Sequence, residues 1–167
     1  MLFFNLLNYF PKKISHEIEE YLKDIREKQI EEIRLRVEKP LILKFNNFEK
    51  VLNIIVTYAD ILETLGNICN NSIYAYQNEI CSGFITVKGG HRVGITGNCV
   101  IENGNVINIS YISSLNFRVA KQVLNCSNKI LKYVLNIENN SIYNTLIVSP
   151  PGERENNNFK RLNKKHK

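Results

Sequence analysis

The sequence predicts an α/β domain of the α+β kind: a mostly antiparallel sheet with flanking helices, then a linker helix and one further strand. Three observations predict it. Segments such as Glu32-Ile33-Arg34-Leu35-Arg36-Val37 alternate apolar with charged residues, the period of a half-exposed strand. Turn signals at Asn46-Asn47, Lys88-Gly89-Gly90 and Asn103-Gly104 separate such segments, as hairpins require. Other stretches carry apolar residues at helical spacing. At 167 residues and 44% apolar content, the chain is long enough for one core with a helical appendage.

The elements follow in order. Leu2, Phe3, Leu6, Leu7 and Phe10 lie on one helical face that ends before Pro11. That face either packs on the domain or meets a membrane or partner. From Ser15, Ile18, Tyr21, Leu22 and Ile25 recur at helical spacing, with charged residues opposite. Residues 1–28 thus form an N-terminal helical segment. The α/β domain proper covers residues 29–119. Glu32–Val37 is its first strand, Pro40 breaks it, and Leu41–Phe45 is the second, turning toward Val51. Arg34 and Arg36 share one strand face, either as solvated charge or as ligand contacts. Thr57 is an N-cap with Asp60 three residues on, a capping-box arrangement with the shorter acid. Ile61, Leu62, Leu65 and Ile68 continue that helix. A second, about Ser72 to Ile80, sets Tyr74 and Tyr76 into the groove against the sheet.

The chemistry of the chain then changes. Gly83–Val87 and His91–Gly97 form a hairpin, Asn103-Gly104 turns into Val106–Ile112, and Leu115–Val119 adds another strand. Residues 120–137 are a linker helix, by the stripe Val123, Leu124, Ile130, Leu131, Val134 and Leu135. Residues 138–152 begin something further, and 153–167 form a polar tail expected to be disordered.

Charge and cysteines narrow the function classes. The net charge of +6 resides mostly in residues 153–167, where six Lys/Arg face two Glu. A nucleic-acid role would have to use that tail, and the sheet shows no aromatic stacking pattern, so no nucleic-acid partner is expected. Cys69, Cys81, Cys99 and Cys126 stand far apart, without the spacing of a zinc site or a disulfide framework, and read as buried reduced thiols. No basic n-region precedes the first apolar residues, and no run approaches the ~20 apolar residues of a membrane span. A cytoplasmic protein is expected.

The junction at residues 144–156 holds the sharpest motif. Asn144-Thr145-Leu146-Ile147-Val148-Ser149 reads as a buried strand, and Pro150-Pro151-Gly152 as the start of a glycine turn. A phosphate-binding P-loop opens in this way, its helix N-terminal amides facing the anion. Ser149, Pro150, Pro151 and Gly152 are therefore read as its remnant. The pattern then needs Gly, Lys and a hydroxyl residue, where the chain has Arg154, Glu155 and Asn156. A carboxylate in the lysine position repels phosphate, so the loop does not work as written. If Arg154 is encoded AGG or CGG and A-rich codons follow, skipping one nucleotide gives Gly-Lys-Thr-Thr-Thr-Leu-Lys-Asp-Leu-Ile-Lys-Asn-Ile. That string is a P-loop running into an amphipathic helix. A single-base frameshift or sequencing error, truncating a longer ATPase, is the expectation.

Five strings in order resemble one family, the stage III sporulation protein AA family of endospore-forming bacteria. They are Glu31-Glu32-Ile33-Arg34-Leu35-Arg36, Gly83-Phe84-Ile85-Thr86-Val87, Gly89-Gly90-His91-Arg92-Val93-Gly94, Ile112-Ser113-Ser114-Leu115-Asn116-Phe117-Arg118 and Asn144–Gly152. The family is similar to the hexameric ATPases of type II and type IV secretion. The resemblance implies an ATPase using ATP and magnesium, a hexamer when intact. It implies work in the mother-cell cytoplasm, peripheral to the membrane, with other stage III A proteins as partners. It also implies that this chain holds the N-terminal domain, the linker helix and the first strand of a P-loop ATPase domain, without the catalytic half. No catalytic residue is therefore expected here, no metal ligand, and no firm nucleotide binding by the chain alone.

In such ATPases, arginines on N-terminal-domain strands reach the nucleotide, and Arg92 and Arg118 have similar surroundings. A guanidinium is permanently charged and binds phosphate oxygens in bidentate fashion. Gly89, Gly90 and Gly94 would let backbone and ligand approach, or else Gly89-Gly90 is only a turn and Arg92 a surface charge. His91 reads as a local hydrogen-bond partner rather than a base. The competing reading is a self-contained module docking on a membrane complex through Leu2–Phe10 and the Arg34/Arg36 face.

Overall fold

The computed structural model describes residues 6–23, 30–120, 133–136, 139 and 141–146. The chain divides into two compact units, Met1–Ala120 and Lys121–Lys167.

The first unit is an α+β domain built on one six-stranded antiparallel sheet. After a helical turn at Leu6-Leu7, the Pro11 carbonyl starts α1 (Lys12–Lys23), accepting from both the Ile14 and Ser15 amides. The helix starts three residues before the Ser15 expected from periodicity. Proline has no N–H to give, so it suits the residues just before a helix. Ile14, Ile18 and Leu22, four residues apart, are the buried stripe of α1.

Strands β1 (Ile30–Arg36), β2 (Pro40–Phe45) and β3 (Glu49–Ile55) follow as a meander. Helix α2 (Tyr58–Ile68) opens on the capping box expected at Thr57 and Asp60, with both reciprocal bonds present. A 3₁₀ turn (Ile73–Tyr76) leads into α3 (Gln77–Cys81). The expected single helix from Ser72 to Ile80 is thus two short pieces. Tyr74 is 93% exposed and fills no groove, whereas Tyr76 packs against the core.

Strands β4 (Phe84–Val87), β5 (His91–Glu102) and β6 (Asn105–Arg118) complete the sheet, in the spatial order β3-β2-β1-β6-β5-β4. The two expected strands Val106–Ile112 and Leu115–Val119 are one, because Ser114 stays within the ladder opposite both Arg36 and Thr96 while the Ser113 carbonyl accepts the Val37 N–H. Asn103 and Gly104 both take positive φ, as the tight β5–β6 turn demands.

One sheet face is apolar. Ile33, Leu35, Leu41, Leu43, Val93, Leu115 and Phe117 are fully buried there, in one cluster with Leu6, Ile14, Ile18, Ile61 and Leu65. Phe10 meets Phe117 with ring centroids 4.6 Å apart. Leu6, Leu7 and Phe10 therefore belong to the core and offer no free docking face. Burying each such side chain contributes roughly 1.5–3 kcal/mol against exposure.

In the second unit, Leu135–Asn136 (β7) pairs antiparallel with Ser141–Ile142 (β8), so the linker helix expected over 120–137 does not reach Leu135. Asn144, Thr145 and Leu146 are exposed and lie in no strand, unlike the buried strand expected there. Residues 121–132 of that helix and the P-loop remnant Ser149, Pro150, Pro151 and Gly152 lie outside the described residues. So do Leu2, Phe3, Ile25, Cys126 and the 153–167 tail. Cys69 is buried and its thiol is pushed up by that burial, with Glu79 adding to it, while Cys99 is exposed against expectation.

Candidate functional site

The functional candidates gather on the sheet's other, polar face. Alternation along a strand sends successive side chains to opposite faces, so Arg92 points away from the core that holds its neighbours His91 and Val93. The antiparallel register places Arg92 directly opposite Arg118, and Arg118 opposite Glu32 on its other side. Thr86 on β4 faces Arg92 from beyond. Two arginines that lie 26 residues apart in sequence are thereby cross-strand partners. Their separation could not be read from periodicity, since it depends on the bulges between Thr96 and Ile101.

The Arg92 guanidinium lies 3.5 Å from the centre of the Phe84 ring. That contact fixes the cation against the sheet without neutralising it. Neither Arg92 nor Arg118 forms an ion pair among the described residues, and both are exposed. Like charges placed directly opposite destabilise a sheet. An anion between them would reverse the sign of that interaction.

Arg34 differs. Its Nε and Nη2 reach Glu32 Oε2 at 3.0 and 2.9 Å, and its Nη1 reaches Glu49 Oε1 at 2.9 Å. The bond from Glu32 raises its pKa, burial opposes this, and Glu49 adds to the rise. Arg34 is thus engaged within the domain, and sequence reasoning missed this because Glu49 lies two strands away. Arg36, on the same strand face, is exposed, in keeping with the solvated-charge reading.

The glycines near Arg92 serve geometry. Gly89 and Gly90 have φ of 95 and 78, and the Gly90 N–H closes the turn on the Val87 carbonyl at 3.0 Å. A β-carbon on Gly94 would meet only ordinary contacts with Asn116 at 3.8 and 3.9 Å, so no close approach requires that glycine. His91 is buried, and its Nδ1 accepts the Ala120 N–H at 2.9 Å, the local hydrogen-bond role expected of it. Asn116, between Arg34 and Gly94 in the ladder, was not singled out from sequence. Its Oδ1 is buried with no hydrogen-bond partner among the described residues.

Among the described residues no group of three or more His, Cys, Asp or Glu is placed to hold a metal ion. None of their helices is long and apolar enough to cross a membrane.

The fold is thus an antiparallel α+β domain whose open face carries Arg92 and Arg118 in cross-strand register, neither in an ion pair among the described residues. Comparison with known proteins then supplies the family. The family described as sporulation stage III, protein AA, matches residues 6–161, and the chain belongs to it. The stage III sporulation protein AA of Bacillus subtilis (strain 168) is 34% identical over 148 residues, covering 87% of this chain and 47% of that protein. The chain therefore spans about half the length of this curated relative. Among solved structures, it is similar to the VirB11 ATPase of the Brucella suis type IV secretion system, with 13% identity and a TM-score of 0.36. That alignment covers 90% of this chain and 43% of the other. The likeness is remote, and the assignment rests on the family and the Bacillus protein.

Proposed function

We propose that this domain is the front part of a nucleotide-driven sporulation motor, in which Arg92 and Arg118 hold phosphate oxygens of ATP. The observation that carries this reading is their direct cross-strand pairing, with neither in an ion pair among the described residues and Glu32, beside Arg118, held by Arg34. The residues fit an anionic group on that ground. ATP bound there would supply the phosphate charge, and the two guanidinium groups would orient it through paired N–H bonds. Phe84 would keep Arg92 from swinging away, and the Arg34 network would leave Arg118 as the free cation of β6.

The residues at the loop positions do not fit magnesium. At the hydroxyl position of the loop stands Asn156, and at the lysine position Glu155. We therefore derive no hydrolytic step for this polypeptide, and infer that the reading frame slips at Arg154. The frame-restored protein would assemble as a homo-hexamer in the mother-cell cytoplasm, peripheral to the membrane, with other stage III A proteins.

Two measurements test this. Re-reading the gene across the Arg154 codon should reveal Gly-Lys-Thr in the neighbouring frame. Phosphate release by the purified 167-residue chain should stay at the level of a protein-free control with ATP and magnesium. Sustained magnesium-dependent turnover, or codons unable to encode that tripeptide, would contradict it.

A further inference from the structure

A second polar site lies elsewhere on the sheet. An open pocket of about 380 Å³ is lined by Arg36, Glu38, Lys39, Tyr111, Ser113 and Ser114, where the β1–β2 turn meets β6. Ser114 lies four residues before Arg118 on the same strand, about 13 Å away at ~3.3 Å per residue. The pocket is therefore distinct from the Arg92–Arg118 pair.

Two independent observations point to a ligand there. First, Arg36 and Lys39 are exposed and form no ion pair among the described residues, whereas neighbouring Arg34 is held by two carboxylates. Second, Glu38 occupies the left-handed region with φ 59, in a turn closed by the Lys39 N–H on the Arg36 carbonyl at 3.1 Å. Glycine or asparagine takes that position without strain. A carboxylate residue held on a left-handed backbone at a pocket rim points to a use for its side chain.

The chemistry of the lining narrows the occupant. The backbone amides at the turn are already spent: Val37 N–H donates to Ser113 O, and Glu38 N–H to Val56 O. Recognition therefore falls to side chains. Arg36 and Lys39 attract an oxyanion, and the Ser114 hydroxyl can donate to it. Glu38 would repel a bare anion but accepts hydrogen bonds from hydroxyl groups. The Tyr111 ring is held as a fixed wall by stacking on Tyr58, with centroids 4.7 Å apart and planes 12° from parallel. We propose that this pocket binds a phosphate ester of a polyol or sugar, phosphate toward Arg36 and Lys39, hydroxyls toward Glu38.

Calorimetric titration of the purified chain with ribose 5-phosphate and with inorganic phosphate tests it. Ribose 5-phosphate should bind, and Arg36→Gln should weaken it about tenfold or more, as loss of a charge-assisted bond implies. Glu38→Gly should weaken ribose 5-phosphate, spare inorganic phosphate, and leave the melting temperature equal or higher. The Arg36→Gln and Glu38→Gly effects on ribose 5-phosphate should persist in an Arg92→Gln background, which separates the pocket from the proposed nucleotide contact. Absence of ribose 5-phosphate binding would overturn the proposal, as would equal affinity in the Arg36→Gln protein. So would a Glu38→Gly effect equal on both ligands.

Discussion

Gly97 lies so close to the Tyr111 backbone that a β-carbon on it would stand 1.9 Å from the Tyr111 carbonyl oxygen. It would also stand 2.6 Å from Ile109 Cγ2. The ladder shifts register between Thr96 and Gly97, and two β-bulges follow, so the long β5–β6 hairpin bends at this glycine. The Tyr111 oxygen is backbone and cannot rotate away. Gly97→Ala should therefore cost about 3 kcal/mol or more, at the upper end for overpacking. Gly94→Ala, with only ordinary contacts, should cost far less. Urea unfolding of both variants measures the difference.

Asp60 joins α1 to α2. Its carboxylate accepts from the Thr57 N–H and hydroxyl, both at 2.7 Å, and lies 2.7 Å from Lys13 Nζ. Burial works to raise its pKa, but the bonds from Lys13 and Thr57 prevail and hold it below the usual carboxylate range. A depressed native pKa stabilises the fold above the unfolded value, about 3.9, and that contribution fades as pH falls toward the native value. The melting-temperature gap between the unaltered protein and Asp60→Asn should thus be full near pH 6 and shrink below pH 4. Thr57→Ala should cost about 1 kcal/mol through the cap.

Phe10 and Phe117 test whether the N-terminal segment is core or docking surface. Both are buried and their rings meet. Phe117→Ala should cost about 3–5 kcal/mol, and Phe10→Ala nearly as much. Removing residues 1–11 should unfold the domain, seen as loss of cooperative melting. A deletion that melts like the intact chain would return the segment to a docking role. Tyr74→Ala, at the other extreme of exposure, should change stability by no more than about 0.5 kcal/mol.

Local patterns carried much of this fold in readable form. Thr57 and Asp60 spell out a helix start, Asn103-Gly104 a hairpin, and the alternation around Ile33 and Leu35 a strand buried on one face. Relations set by register did not show. Ser113 and Ser114 looked like a break between strands, yet Ser114 pairs within the ladder on the open face and Ser113 is taken up by the register shift between Thr96 and Gly97. Arg34 read as solvated charge or a ligand contact, and neither reading foresaw Glu49 arriving from two strands away. The Arg92–Arg118 register was legible only as two separate arginines, because bulges in the β5–β6 ladder decide who faces whom. Tyr74 misled because helical spacing does not distinguish an α-helix from a short 3₁₀ turn that carries its side chains into solvent.

The phosphate role proposed for Arg92 and Arg118 rests on their cross-strand register. Its most direct test is equilibrium binding of a fluorescent ATP analogue to the polypeptide translated from the restored reading frame, with and without Arg92→Gln. The variant should bind about tenfold more weakly or worse, the loss of one charge-assisted phosphate contact, while melting like the unaltered protein. Equal affinity in the two proteins would contradict the account.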